Sequence, residues 1–275
     1  MYLITGATGN VGAALTRALA AAGAPARALV RRHIAAWPDG VESVLGDLNH
    51  PETLTDAFHG VRAMFLLPGY ADMPGMLARA RSAGVRHVVL MTAGSAALED
   101  MTNAISRYMT LSERAVRASG LAWTILRPRA FMSNTLRWLP QLREGDIVRV
   151  PFAAVRTACI APEDIAAVAA TALTGEGHEG RVYELTGPRA LTPADQIAVL
   201  AEVLGRDLHC VGLSDAEAHA DMEKDMPAEY VDAFFRFHRD GILDESRVLP
   251  DVEEVTGRPA RSYEEWALLH ADDFR

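Results

Sequence analysis

The chain has 275 residues, of which 49% are hydrophobic and 23% charged, proportions typical of soluble globular enzymes with a full core. Acidic residues outnumber basic ones by 36 to 27, a formal net charge of −9, and basic residues never cluster beyond pairs, which argues against a direct nucleic-acid partner. No apolar run reaches the roughly 20 residues of a membrane span, and the start of the chain lacks a signal-peptide pattern, so we expect a cytoplasmic protein without a membrane partner.

Short apolar runs alternate with helix-like segments through the first half of the chain. The predicted strands are residues 2–5, 26–30, 41–45, 63–67, 88–91 and 123–127. The predicted helices between them are residues 11–22, 51–58, 73–83 and 104–119. Because these strands lack polar alternation, we expect each of them to be covered on both faces. The alternation itself indicates βαβ units and a doubly wound parallel sheet.

The alternation loosens after about residue 129. Further strands are predicted at residues 145–150 and 181–185, and further helices at residues 161–174, 193–204, 229–238 and 263–271. No repeat or flexible linker divides the chain. We therefore predict an α/β fold with a doubly wound parallel Rossmann core in residues 1–129. Residues 130–275 are predicted to form a smaller, interleaved substrate-binding region, some segments of which return to the core.

The glycine-rich sequence Thr5-Gly6-Ala7-Thr8-Gly9-Asn10-Val11-Gly12 lies directly after the first predicted strand and opens a helix. In such a loop the first glycine permits a tight turn, the second lets the backbone approach a pyrophosphate, and the third lets the helix pack closely. The helix N-terminus then offers free N–H groups and a positive dipole end to the anion. Elsewhere a glycine triplet is an ordinary turn, but in this context it predicts dinucleotide binding.

The residues after the second predicted strand bear on the choice of dinucleotide. NAD sites usually place an acid there, whereas an arginine accommodates the 2′-phosphate of NADP. Here Arg31 and Arg32 follow the strand, and no acid occurs before Asp39. We therefore expect NADP(H) rather than NAD(H), the alternative being a solvated basic pair. Asp47, after the third strand, is predicted to cap the next turn, to contact the adenine, or both.

Several motifs together resemble the NmrA-like branch of atypical short-chain dehydrogenases/reductases, and the resemblance spans nearly the whole chain. They are the glycine loop, Leu29-Val30-Arg31-Arg32, Gly46-Asp47-Leu48, Ser119-Gly120-Leu121-Ala122-Trp123-Thr124-Ile125-Leu126-Arg127-Pro128, Phe131-Met132-Ser133-Asn134, Pro162-Glu163-Asp164-Ile165-Ala166 and Tyr183-Glu184-Leu185-Thr186-Gly187-Pro188.

The resemblance also implies where a dinucleotide and a substrate lie along the chain. The glycine loop would hold the pyrophosphate, Arg31 with Arg32 beside it the 2′-phosphate, and the turn after the third strand the adenine. The turns after the fourth and fifth strands would line the path to the nicotinamide. These cofactor residues are Gly6, Thr8, Gly9, Asn10, Val11, Gly12, Arg31, Arg32, Asp47, Leu48, Leu67, Pro68, Thr92 and Ala93. Residues 128–134, with Phe131 and Asn134 as substrate contacts, would lie beside the nicotinamide.

Proton donors are harder to assign. Typical short-chain dehydrogenases use a tyrosine with a lysine four residues later, which lowers the tyrosine pKa. Here Tyr108 is followed by Ser112, and Lys224 is the only lysine in the chain. The tyrosine–lysine mechanism is therefore not predicted. For an activated acceptor, Tyr108, Asn134 and a water held by Thr92 are the candidate proton donors, and packing is the alternative role of Tyr108.

The C-terminal region carries an aromatic stripe that includes Tyr230 and Phe234. At helical spacing it is typical of core packing, the alternative being a substrate wall with Met222 and Met226 as an apolar lid. We predict an NADP(H)-dependent oxidoreductase that transfers hydride to a small apolar acceptor such as a quinone or a carbonyl compound. The alternatives are a non-catalytic NAD(P) sensor that acts through a protein partner and an epimerase-like relative.

Two further expectations concern ligands and assembly. The nine histidines, including His33, and the two cysteines show no metal-ligand spacing, so no metal is expected. A homo-oligomer is compatible with the sequence.

Overall fold

A computed structural model describes residues 1–32 and 36–274; His33 lies outside the described residues. The strands are β1 (Tyr2–Ile4), β2 (Ala26–Val30), β3 (Val41–Leu45), β4 (Ala63–Leu66), β5 (His87–Met91), β6 (Ala122–Pro128), β7 (Ile147–Val150), β8 (Arg181–Leu185) and β9 (His209–Gly212). The helices are α1 (Asn10–Ala21), α2 (Thr55–Phe58), α3 (Met73–Ser82), α4 (Ala104–Ala118), α5 (Leu139–Glu144), α6 (Pro162–Thr174), α7 (Pro193–Leu204), α8 (Asp215–Met222), α9 (Ala228–His238), α10 (Asp251–Thr256) and α11 (Tyr263–Leu269). Short 3₁₀ segments are Pro51–Leu54, Gly94–Leu98, Met132–Trp138 and Ala271–Phe274.

A seven-stranded parallel sheet runs through the molecule in the order β3-β2-β1-β4-β5-β6-β8. The chain moves outward from β1 to β3 and then returns to form β4 on the other side of β1. Open α/β sheets bind ligands beyond the carboxyl ends of their strands at such a reversal. The predicted doubly wound Rossmann fold is confirmed. The edge of the sheet at which a ligand is expected lies where β1 ends at Ile4 and β4 ends at Leu66.

The helices cover both faces of the sheet. On one face, α1 packs against α6 through small side chains such as Ala14, Ala166 and Ala169, which let the two helices approach closely. The other face is closed by α3 and α4, whose buried side chains include Leu77 and Val116. The apolar strands are thereby shielded on both sides, which is why their sequences lack polar alternation.

The edge strand β3 departs from the prediction that every strand is covered on both faces. Glu42 and Ser43 in this strand are exposed, and Glu42 forms an ion pair with Arg27 of β2. An edge strand has a neighbour on one side only, so polar side chains are tolerated there. The expectation of full coverage was wrong for β3.

The second half of the chain contributes both to the sheet and to a separate apolar cluster. β8 pairs with β6 at the sheet edge, while β7 and β9 form a two-stranded parallel sheet of their own. Buried residues of this cluster include Trp138, Leu200 and Trp266. The short elements α5, β9, α8 and α10 were not predicted, because four to eight residues show little hydrophobic periodicity.

Two properties of the described part of the chain bear on function. None of its helices is long and apolar enough to cross a membrane. Within residues 1–32 and 36–274, no group of three or more His, Cys, Asp or Glu side chains could hold a metal ion.

Candidate active site

A cleft runs along the carboxyl ends of the sheet strands and consists of two adjoining cavities. The first, of about 830 Å³, is lined by residues that end or follow β1, β2, β3 and β4. The second, of about 740 Å³, lies between the ends of β4, β5 and β6 and helix α9. Leu67, directly after β4, lines both cavities, so they adjoin at the reversal point of the sheet.

The glycine loop between β1 and α1 is folded tightly against the start of the helix. Gly6 has a φ of +61°, in the left-handed region that favours glycine, and its carbonyl oxygen accepts a hydrogen bond from the Gly9 amide at 2.9 Å. A Cβ added at Gly12 would lie 2.1 Å from the same oxygen, so any side chain at Gly12 would force the helix away from the loop. The conformation of the loop at residue 6 and its close contact with the helix at residue 12 therefore both require glycine.

The N-terminus of α1 is left open to an anion. Its N-cap residue is Gly9, no side chain of the described residues caps it, and its first turn contains no acid. By contrast, the N-termini of α7, α8 and α11 are closed by capping boxes. Within the described chain the amides of Asn10, Val11 and Gly12 donate no hydrogen bond. These three N–H groups and the positive end of the helix dipole fit the pyrophosphate of a dinucleotide.

Predicted cofactor residues on four strand ends come together around the first cavity. They are Gly6, Thr8, Arg31, Arg32, Asp47, Leu48 and Leu67. Both arginines are exposed, and in the part of the chain that the structure describes neither forms an ion pair or a hydrogen bond. Asp47 accepts a hydrogen bond on Oδ1 from the Asn49 amide at 2.9 Å, the turn-capping geometry, and also faces the cavity.

The rest of the glycine loop borders this cavity without lining it. Gly9, Asn10, Val11 and Gly12 form the first turn of the helix, and the Val11 side chain is 4% exposed in the core. A cofactor contact by Val11 is therefore restricted to its backbone. The Asn10 side chain donates a hydrogen bond from Nδ2 to Ser133 Oγ at 3.0 Å, which ties the loop to the segment after β6.

Tyr70, which the sequence analysis did not single out, also lines the first cavity. Burial raises the pKa of Tyr70, although a hydrogen bond with the Thr5 side chain partly opposes that shift. Its hydroxyl thus remains protonated at neutral pH. No local sequence pattern marks this residue, because its position depends on the turn after β4 meeting the end of β1.

The second cavity is mainly apolar and gathers the remaining predicted residues. These are Leu67, Pro68, Thr92, Ala93, Tyr108, Phe131, Asn134 and Phe234. The aromatic stripe of α9 faces both the core and the cavity. Phe235 is buried against Val231 and Ala218, whereas Phe234 faces the cavity. Met222 and Met226 also line this cavity, and their role as an adaptable apolar lid stays a prediction.

Tyr108 lines the second cavity. Its ring packs against Gly69 and meets the ring of Tyr230 edge-on, with centroids 6.3 Å apart. Burial raises the pKa of Tyr108, so its hydroxyl is a hydrogen-bond donor at neutral pH and a weak acid. Asn134 also borders the cavity, and its side chain is exposed there.

Beneath Thr92 lies a buried ion-pair network. Thr92 donates its hydroxyl hydrogen to Glu113 Oε1 at 3.0 Å. Glu113 also accepts two hydrogen bonds from Arg127, on Oε1 from Nε at 2.8 Å and on Oε2 from Nη2 at 2.7 Å. The Thr92 hydrogen is directed into this network, but its oxygen can still accept a hydrogen bond, so a water held by Thr92 stays a prediction.

Polar residues that the sequence analysis missed also line the second cavity: Arg137, His238 and Glu245. Burial lowers the pKa of His238 to about 4, so this imidazole is neutral at physiological pH. Burial raises the pKa of Glu245, opposed by the nearby Arg129 and by a hydrogen bond from the Ala130 amide. These residues come from separate elements, so only the tertiary fold reveals them.

Comparison with known proteins supports dinucleotide binding. Residues 6–176 match the NAD(P)H-binding family model. The chain is 41% identical to a (4-alkanoyl-5-oxo-2,5-dihydrofuran-3-yl)methyl phosphate reductase of Streptomyces griseus subsp. griseus, covering 100% of this chain and 99% of that protein. It is 36% identical to an NAD(P)H azoreductase of Xenophilus azovorans, covering 100% and 99% of the two chains.

Two solved structures share the fold. The NADPH-dependent quinone oxidoreductase QOR2 of Escherichia coli superposes with a TM-score of 0.79 at 24% identity, over 99% of this chain and 100% of that one. NmrA, a negative transcriptional regulator, superposes with a TM-score of 0.76 at 19% identity, over 97% of this chain and 94% of that one. The chain thus belongs to the NAD(P)H-binding family, as an oxidoreductase with a Rossmann fold.

Proposed function

We propose that the protein is an NADPH-dependent reductase that transfers hydride to a flat, largely apolar acceptor in the second cavity. One observation carries this proposal: the cavity beside the glycine loop adjoins, at Leu67, an apolar cavity large enough for a small molecule. A sensor that never turned over its dinucleotide would not require this second cavity. The reductase names of the two relatives support the same conclusion.

In this proposal, different parts of the cleft bind the cofactor and the acceptor. The open end of α1 and Arg31 bind the phosphates, while Pro68 and Ala93 flank the path to the second cavity. Bound NADPH supplies the hydride. The apolar wall excludes water, and the protonated Tyr108 hydroxyl donates a hydrogen bond to the acceptor. A proton from water would complete the reduction of the acceptor atom that receives this hydride.

A panel of acceptors tests this function directly. NADPH oxidation is followed with a quinone, an azo dye and (4-alkanoyl-5-oxo-2,5-dihydrofuran-3-yl)methyl phosphate, the last two chosen from the names of the relatives. We expect acceptor-dependent oxidation with at least one compound, and one acceptor reduced for each NADPH consumed. Tight NADPH binding without oxidation across the panel would instead favour the sensor.

Arg31 is predicted to determine the preference for NADPH over NADH. The variant Arg31→Asp loses the 2′-phosphate partner and adds a repulsive charge, so NADPH affinity is expected to fall about 100-fold, with little change for NADH. Titration with both cofactors measures the ratio. Arg62→Asp is the matched control, because Arg62 is exposed and lines neither cavity. An unchanged ratio in Arg31→Asp would refute the assignment.

Phe234 is predicted to contact the acceptor and not the cofactor. Its ring stacks on His238, with centroids 6.0 Å apart, and faces the cavity. We expect Phe234→Ala to raise the acceptor KM about tenfold through lost apolar contact, and to leave the Kd of NADPH unchanged. Steady-state kinetics and NADPH titration separate the two effects. A parallel rise in both constants would place Phe234 outside the acceptor wall.

A further inference from the structure

The segment between β6 and α5 presents one face to the protein core and another to the second cavity. A 3₁₀ helix has three residues per turn, so every third side chain lies on the same face. The face made by Met132, Thr135 and Trp138 is buried. The face made by Phe131, Asn134 and Arg137 lines the cavity. The local geometry therefore directs the Arg137 side chain toward the acceptor.

Hydrogen bonds hold this segment in place. The Met132 amide donates to Ile160 O at 2.9 Å, and Thr135 Oγ1 donates to Met132 O at 2.8 Å. Ser133 accepts the hydrogen bond from Asn10 of the glycine loop. The backbone that carries Arg137 is thus fixed relative to the cofactor-binding loop.

Arg137 differs from the other arginine of the second cavity in having no partner. Arg129 donates a hydrogen bond from Nη2 to Glu184 Oε2 at 3.2 Å. Arg137 makes neither a hydrogen bond nor an ion pair with any described residue. Burial lowers the pKa of Arg137, and the attraction of Asp225, which is too distant for an ion pair, only partly opposes this shift. Arg137 is nevertheless exposed, so water reaches its guanidinium group when the cavity is empty. An anion in the cavity replaces this water with charge-assisted hydrogen bonds.

The charges of the other titratable groups around the cavity indicate that an anion would bind at Arg137. His238 is neutral at physiological pH, and the raised pKa values of Tyr108 and Glu245 reflect burial. When ionised, the Glu245 carboxylate repels a second anion. Arg137 is therefore the group that favours a negative charge on the acceptor.

We propose that Arg137 binds a tetrahedral oxyanion on the acceptor, either a phosphate ester or a sulfonate, while the apolar wall of Met222, Met226 and Phe234 holds the rest of the molecule. The planar guanidinium donates two parallel hydrogen bonds to such a group. With the anion fixed at Arg137, the acceptor extends toward Pro68 and Ala93, where the hydride is delivered. This proposal rests on the reductase function and adds the charge of the substrate to it.

Paired acceptors test the role of Arg137. The first pair is (4-alkanoyl-5-oxo-2,5-dihydrofuran-3-yl)methyl phosphate and the corresponding free alcohol, and the second is 1,2-naphthoquinone-4-sulfonate and 1,2-naphthoquinone. We expect Arg137→Met to raise the KM of the anionic member about 10- to 100-fold, with kcat and the KM of the neutral member within about twofold. The pair that shows this selectivity identifies the oxyanion as phosphate or sulfonate.

Two variants serve as controls. Arg143→Met removes an exposed arginine on α5 that lines neither cavity, and it is expected to leave every constant unchanged. Arg137→Lys keeps the charge but not the bidentate geometry, and it is expected to restore part of the anion selectivity. Equal changes for the anionic and neutral members in Arg137→Met, or no change for either, would overturn the proposal.

Calorimetry separates a failure of this proposal from a failure of the reductase function. The four acceptors are titrated into the NADP⁺-bound protein, without turnover. The anionic compounds are expected to bind more tightly to the wild-type chain and to lose that advantage in Arg137→Met. If no acceptor is reduced, the reductase function fails while this binding difference still tests the anion site; equal binding of anionic and neutral members would refute it.

Discussion

Gly12→Ala is expected to lower the affinity for NADPH about 100-fold. The added methyl group overpacks the contact between the loop and α1, and moving the two apart to relieve it costs about 3 kcal/mol. The added Cβ would lie 2.1 Å from Gly6 O, and both partners are backbone atoms that no side-chain rotation can relieve. The start of α1 would have to move away from the loop, carrying with it the free amides that face the pyrophosphate. Isothermal titration with NADPH measures the loss, and thermal unfolding reports the accompanying change in stability.

Gly9→Ala is the matched control for this prediction. A Cβ at Gly9 would lie 3.4 Å from Gly6 O, a tight but tolerable contact, and the backbone there is extended. We expect its Tm to stay within about 2 °C of the wild type. Any loss of NADPH affinity in Gly9→Ala then comes from contact with the ligand. If Gly12→Ala bound NADPH within twofold of the wild type, the account of the loop would be wrong.

Glu113→Gln is expected to destabilise the fold by about 3–5 kcal/mol, because it leaves the guanidinium of Arg127 without its full counter-charge in a buried site. Glu113 is 4% exposed, and its hydrogen bond raises the pKa of Arg127. In a chain of this size that loss corresponds to a fall in Tm of about 10 °C. Chemical denaturation gives the free energy of unfolding.

Arg117→Met is the control for the buried network. Arg117 approaches Glu113 Oε2 at 3.6 Å but is partly exposed to solvent, so its removal is expected to change the free energy of unfolding by less than about 1 kcal/mol. Similar losses in Glu113→Gln and Arg117→Met would show that burial of the Arg127 pair does not govern stability here. Because Thr92 donates to Glu113 and lines the second cavity, Glu113→Gln also tests whether the network positions the acceptor site.

The parts of the structure that were predictable from the sequence depend on local signals. The limits of β2, β3, β8 and α7 agree with the predicted ranges, since apolar runs and flanking glycines mark them directly. The open end of α1 was predictable for the same reason. The exposed face of β3 was not predicted. Whether helices cover a strand depends on its position in the sheet, which its own residues do not reveal.

The second cavity was predicted less completely, because its walls come from distant parts of the chain. Phe234 was found through helical spacing, but Arg137 belongs to a 3₁₀ segment whose threefold period has no distinct sequence pattern. Glu245 belongs to an irregular stretch of the chain, and its hydrogen bond with the Ala130 amide places it near the end of β6. Long-range contacts determine these positions, and a single sequence does not reveal them.

The central claim is that hydride passes along one cleft, from a dinucleotide at the glycine loop to an acceptor in the second cavity. Its most direct test uses NADPH carrying deuterium at C4 of the nicotinamide, prepared separately for each face, with an acceptor of the panel whose reduction forms a carbon–hydrogen bond. We predict that one of the two labelled cofactors transfers one deuterium to each product molecule, as measured by mass spectrometry. A reduced product without deuterium from either labelled cofactor would contradict direct transfer within the cleft.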